Sequence, residues 1–225
     1  MRTAQDQPPA PSAGEALALA DYRRRVAELY LELRSSGVDE TSWQRWCQAR
    51  SQLLATHPQS PLDQDRRSAA KPLAFYPYDP SWQLVGTVEA FTGEPPTTPV
   101  AEGSSTFAPF ATVRFQRAGV DHQLTLFWLE AYGGGLFLPF GDTTNGTSTY
   151  GGGRYLLDGA KSADLGSPGP GKLLLDFNLA YHPSCAWDPR WECPLAPPSS
   201  RLPVAVEAGE RIDSVDRPGA DGAGG

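Results

Sequence analysis

The sequence predicts a mainly β fold: an antiparallel sheet of about six to eight strands, closed into a barrel or packed as a sandwich, behind two N-terminal α-helices. Three observations lead there. Apolar residues recur at spacings of three and four before His57 and at a spacing of two after Trp82. The apolar runs after Trp82 are short and separated by Gly, Pro, Asn and Asp. The connections between them are too short for crossover helices, which makes the pairing antiparallel.

Along the chain, residues 1–14 and 213–225 are expected to be disordered tails, because segments such as QPPAPSAG and RPGADGAGG hold almost nothing to bury. Residues 15–57 form a helical segment. Leu19, Tyr22, Val26, Leu29, Tyr30 and Leu33 fall on one face of a first helix, Glu15 to Arg34, closed by Ser35, Ser36 and Gly37. A second helix runs from Thr41 to Thr56. Thr41 and Gln44 have capping-box spacing, and His57-Pro58 stops it. It presents Trp43, Trp46, Cys47, Leu53 and Leu54; the two Trp residues are either a binding platform or the buried face of a helix laid on a sheet.

Residues 63–78 read as a polar loop passing into an extended, Pro-punctuated run, and 75–212 as the β domain. Ala111, Val113 and Phe115 alternate with polar neighbours, a turn follows at Ala118-Gly119, and Leu124, Leu126 and Trp128 alternate in turn: a β-hairpin. Further strands are expected at Trp82 to Ala90, Leu136 to Phe140, Arg154 to Leu157, Leu173 to Phe177 and Pro203 to Glu207.

Composition narrows the function classes. A net charge of −7 with thinly spread Lys and Arg argues against a nucleic-acid partner. No apolar run approaches the roughly 20 residues of a membrane span, and Met1 to Gly14 does not resemble a signal peptide, so a cytoplasmic location is expected. Gly166 to Lys172 has the glycine spacing and Lys of a phosphate loop, but Leu173 replaces the Ser or Thr, two prolines remove N–H donors, and a strand follows. Gly133 to Gly135 and Gly151 to Gly153 read as tight turns and close backbone approaches. Hydrolase elbows, zinc-protease motifs and paired CxxC motifs are absent, and no cofactor is expected. His57 and His122 read as structural or solvated rather than catalytic.

From Phe140 onward the sequence becomes dense in Gly, aromatic and polar residues: FGDTTNGTSTYGGGRYL, then LLLDFNLAYHPSCAWDP, then ECPLAPPSSRLPVAVEAGER. These strings resemble the bacterial family of domains of unknown function numbered 1684. The resemblance implies matching positions at Asp142, Thr143, Tyr150, Arg154, Tyr155, Asp176, Asn178, Tyr181, Pro183, Cys185, Cys193, Pro194, Arg201 and Glu210, and it extends more weakly back to the second helix and Pro58. His182 and Ser200 depart from it, each standing where Asn is expected. It implies kinship of fold without an activity.

Physically, Arg154 opens a strand in an aromatic segment and Asp176 ends an apolar one, so each charge needs a partner; the two are expected to face each other. In one reading the pair is an internal strut. In the other it lies open at a barrel mouth as a pocket for a small polar or anionic metabolite. There Arg154, Asn178, Tyr181 and the resemblance-implied Asp142 would bind ligand, with Asp176 and Tyr155 as catalytic groups of a cofactor-independent enzyme. The same pocket would serve a non-catalytic binding protein. Cys185 and Cys193 are buried thiols, a disulfide clipping their loop, or ligands of a metal with His182 or Asp176.

Overall fold

The computed structural model describes residues 11–69, 71–91, 107–130 and 133–212. Most of both expected tails lies outside these, but Ser12 to Gly14 belong to the first helix. In α1 (Ala13–Ser36) the Ser12 hydroxyl caps Glu15 N–H and the Glu15 carboxylate returns to Ser12 N–H, so the helix starts earlier than its apolar stripe. Tyr22, Val26, Tyr30 and Leu33 are buried, whereas Leu19 is exposed. Gly37, at φ +79°, ends the helix in the left-handed region that suits glycine.

Helix α2 (Glu40–Thr56) is capped by Asp39 and Ser42 rather than by the expected Thr41 and Gln44. Asp39 lies outside the helix, where its carboxylate accepts from Ser42 N–H at 2.7 Å. Trp46 is buried against Tyr30 edge to face, and Trp43 is half-buried with its indole N–H on the Asn178 carbonyl. The binding-platform reading is thereby closed. His57 is buried beside Asp21, and His122 is buried against Phe115; both are structural. A one-turn helix, α3 (Gln64–Ser68), occupies part of the expected polar loop.

Strands β2 (Gln83–Ala90), β3 (Phe107–Arg117), β4 (Val120–Leu129), β5 (Leu136–Phe140), β6 (Arg154–Asp158) and β7 (Lys172–Asp176) form one antiparallel sheet in the order β6-β5-β4-β3-β2-β7. Positive φ at Ala118 and Gly119 makes the β3–β4 turn the two-residue kind that follows strand twist. Beyond β7 the chain turns through Phe177–Leu179, and Tyr181 exchanges two backbone hydrogen bonds with Tyr155 of β6, at 2.9 and 3.1 Å. The sheet is thus a curled half-barrel whose two edges meet through this bridge. Two further short strands, β1 (Ala74–Phe75) and β8 (Glu210–Arg211), pair with each other.

Two apolar clusters lie on the two sides of the sheet. Inside the curl are Trp82, Val113, Phe115, Leu124, Leu126, Leu138, Phe140, Leu175 and Phe177. On the other side the helices bring Tyr30, Leu33, Trp46 and Leu54 against Phe127, Phe137, Tyr155 and Tyr181. That helical cover reverses the expected alternation at the end of β4: Phe127 is fully buried and Trp128 is exposed.

The expected strand Pro203 to Glu207 does not form. Leu202, Val206 and Ala208 are buried with a period of two, but the carbonyls of Val206 and Ala208 accept from the Arg154 guanidinium instead of a neighbouring strand. The segment is a strap across the half-barrel, held also by Leu202 N–H on Gly141 O and Thr143 N–H on Val204 O. Gly153, at φ +92°, lies where a Cβ would meet the Phe140 carbonyl oxygen at 2.5 Å, the close approach that the glycine run suggested. Among the described residues no helix is long and apolar enough to cross a membrane.

Candidate functional site

Arg154 enters the half-barrel at the start of β6 with no exposed surface. Its Nη2 donates to Asp142 Oδ2 at 2.9 Å and to Val206 O at 2.7 Å, and its Nη1 donates to the carbonyls of Ala208 and Glu210. The Phe140 ring lies 5.1 Å from the guanidinium carbon. Burial pulls the Arg154 pKa down, and Asp142 opposes the shift. The expected Arg154–Asp176 pair is therefore not formed. Asp142, two residues beyond the Phe140 that pairs with Arg154, reaches the cation first, while Asp176 sits on β7 at the opposite edge of the sheet.

Next to this pair stands a second buried network. Glu210, fully buried, takes Arg50 Nε at 2.6 Å on Oε1 and His182 N–H at 2.7 Å on Oε2. Burial opposes its ionisation, but Arg50 and His182 outweigh it and hold the Glu210 pKa down at about 2. His182 Nε2 accepts from Tyr150 N–H at 3.3 Å, which leaves the ring proton on Nδ1, 3.4 Å from Glu210 Oε2. Burial depresses the His182 pKa, so the ring is neutral at pH 7.

Tyr155 donates its hydroxyl to Pro194 O at 2.5 Å, and Tyr181 donates to Asp158 Oδ2 at 3.1 Å. Burial pushes both phenols well above their ordinary pKa, so neither is a ready proton donor or base. Asn178 is spent as well: its side chain exchanges two 2.9 Å hydrogen bonds with the backbone of Asp79, and its Nδ2 also donates to Asp176.

Asp176 differs in its surroundings. Its Oδ1 accepts from Asn178 N–H and Nδ2, both at 2.9 Å, and its Oδ2 from Gln83 Nε2 at 2.8 Å. Burial nevertheless raises its pKa. It lines a groove of about 290 Å³ with Val38, Gln83, Leu84, Val85, Leu165, Leu174 and Leu175. Gln83 uses its other amide N–H on Val38 O, so what this edge offers a visitor is acceptors and apolar wall.

The structure thus gathers Arg154 with Asp142, Tyr155 with Tyr181, and Asp176 with Asn178, and does not bring Arg154 to Asp176. Cys185 and Cys193 are neighbours carrying free thiols, with Cys185 N–H on Cys193 Sγ at 3.3 Å. Among the described residues no three His, Cys, Asp or Glu are grouped to hold a metal ion. Two charged members of the networks escaped the reading of the residues. Arg50 follows Trp46 by four and precedes Leu53 by three, so it interrupts an apolar helical stripe, and that interruption was its available signal. Glu210 was marked by the resemblance alone.

Comparison with known proteins places this geometry. None of the curated proteins matches the chain. A solution NMR structure of an uncharacterised protein from Haloarcula marismortui is similar to it, with 30% sequence identity and a TM-score of 0.56 over 78% of this chain and 95% of that one. The likeness spans more of the chain than a family model that matches residues 69–211, so α2 and Pro58, where a weaker resemblance was expected, lie outside the family match. That model is the one described as a protein of unknown function (DUF1684), and it covers more than half of the sequence, so the chain belongs to this family.

Proposed function

We propose that this protein is a non-catalytic, cytoplasmic binder of a small polar molecule, that its binding surface is the groove at Asp176, and that Arg154 with its partners is scaffold. The observation that supports the reading is one of position: Arg154 has no exposed surface and lines no groove, whereas Asp176, itself only 4% exposed, borders an opening near the lower end of ligand-pocket sizes, roughly 300 Å³. The groups at the groove decide the ligand chemistry. A carboxylate and the oxygen of Gln83 accept hydrogen bonds, so the ligand brings donors, an amine or hydroxyls, beside an apolar portion that packs on Val85 and Leu174. Among the described residues that line the groove there is no cation for an anion to meet.

The test is NMR titration of the full chain with a panel of small amines and polyols. Chemical-shift changes are expected at Val38, Gln83, Val85 and Leu174, with affinity reduced at least tenfold in Asp176→Asn. Val85→Trp, which fills the groove from an exposed position, should abolish the changes without altering the fold. Shifts that cluster elsewhere, or that survive both substitutions, would overturn the assignment. Consumption of a panel compound by the wild type and not by Asp176→Asn would make the protein an enzyme and Asp176 its base.

A further inference from the structure

We propose that Cys185 and Cys193 form a redox-active dithiol that exchanges with low-molecular-weight disulfides and closes an internal disulfide across the loop between them. Cys185 lies in a single helical turn, Ser184–Ala186, directly after Pro183, and a turn closed by Trp191 N–H on Asp188 O sends the chain back. This return sets Cys193 Sγ 3.3 Å from Cys185 N, so the second cysteine's sulfur lies against the backbone of the first.

Both ends of the loop are anchored. His182 N–H is held by Glu210 before it, and after it Pro194 O takes the Tyr155 hydroxyl while Ala196 N–H bonds to Gly152 O. The two cysteines are therefore neighbours in an arrangement the fold already holds, and both are partly exposed, so an oxidant reaches them without unfolding.

The two thiols are not equivalent. Donation by the Cys185 thiol, helped by the Cys185 N–H and the Lys161 ammonium and opposed by burial, lowers the Cys193 pKa to about 7. The same contact raises that of Cys185, because its proton is committed to its neighbour. Cys193 is then the attacking thiolate and Cys185 the resolving thiol.

The exchange balances as follows. Cys193 thiolate attacks one sulfur of a disulfide RSSR, forming Cys193–S–SR and expelling RS⁻. Cys185 then loses its proton to solvent and attacks Cys193 Sγ, forming the Cys185–Cys193 bond and expelling a second RS⁻. The two electrons removed from the protein reside on the two RS⁻ released. Cys47 is a free thiol on α2 whose pKa burial raises, and it takes no part.

The test uses the reduced full chain with glutathione disulfide, then alkylation and peptide mass mapping. The wild type should lose alkylation at Cys185 and Cys193 together, gain an internal disulfide and retain no glutathione. Cys47→Ser should behave identically. Cys185→Ser should stop at a single glutathione adduct on Cys193, and Cys193→Ser should yield neither product. In the wild type, alkylation of Cys193 should be half-maximal near pH 7. Full alkylation of the wild type after oxidant treatment would overturn the proposal, as would a stable adduct on the wild type or an unreactive Cys193 in Cys185→Ser.

Discussion

A guanidinium removed from water is stable only where acceptors replace its hydration, and Arg154 has one carboxylate and three carbonyls in that role. Two of the carbonyls, of Val206 and Ala208, belong to the strap and the third to Glu210 of β8, so one side chain does for the strap what a neighbouring strand does elsewhere. Arg154→Ala leaves Asp142 buried without its cation, and Asp142→Ala does the reverse. Each should lower unfolding free energy by on the order of 3–5 kcal/mol in urea titrations. Arg154→Lys should fall between these and the wild type, because an ammonium cannot reach both Asp142 and the carbonyl row. That Arg154 needed a partner was legible, since a cation in an aromatic strand is a local fact. Which carboxylate serves was not, because Asp142 and Asp176 are both apolar-strand neighbours in sequence and only the strand order of the sheet separates them. The β5–β6 pairing alone, with Phe140 opposite Arg154, would have pointed to Asp142.

At the scale of elements, the strands were legible because each is a short apolar run bounded by turn residues; β5 matches its expected limits, β6 runs one residue further and β7 is displaced by one. The strap shows where such reasoning ends. Leu202, Val206 and Ala208 alternate as a strand would, but periodicity reports which side chains are buried and not what the carbonyls accept. The middle of β2 shows how tightly the curl is drawn. A Cβ on Gly86 would lie 2.4 Å from Val113 Cγ2 and 2.8 Å from Leu175 Cδ1, since those two side chains close over the strand from its neighbours. Gly86→Ala should therefore destabilise by about 1–3 kcal/mol through overpacking. A melting temperature equal to that of the wild type would show that Val113 and Leu175 can move aside freely.

Across the whole molecule, the helical segment and the β domain, distinct in sequence pattern, share one apolar cluster and the Arg50–Glu210 pair, which ties α2 to β8. The response to acid is set by this junction. His182 has a folded pKa below its unfolded one, so stability is full above the unfolded value, roughly pH 6.5, and declines as pH falls below it. Glu210, held at about 2 against an ordinary 4.5, adds a second loss as pH falls from near 4.5 toward 2. Melting temperature against pH should show both limbs. His182→Asn should remove the upper one and keep the lower, because an amide can accept from Tyr150 N–H and donate to Glu210 without taking up a proton; persistence of the upper limb in this variant would assign it to another group. The same junction bears on synthesis. Arg50 leaves the ribosome 160 residues before the Glu210 that neutralises it and Arg154 52 residues before the Val206 carbonyl that helps cradle it, and β1 likewise precedes its partner β8. Until the stretch through Ile212 is made, Arg50 has no carboxylate and Arg154 no carbonyl row, so the native packing of α2 on the sheet should be completed only when the last strand joins.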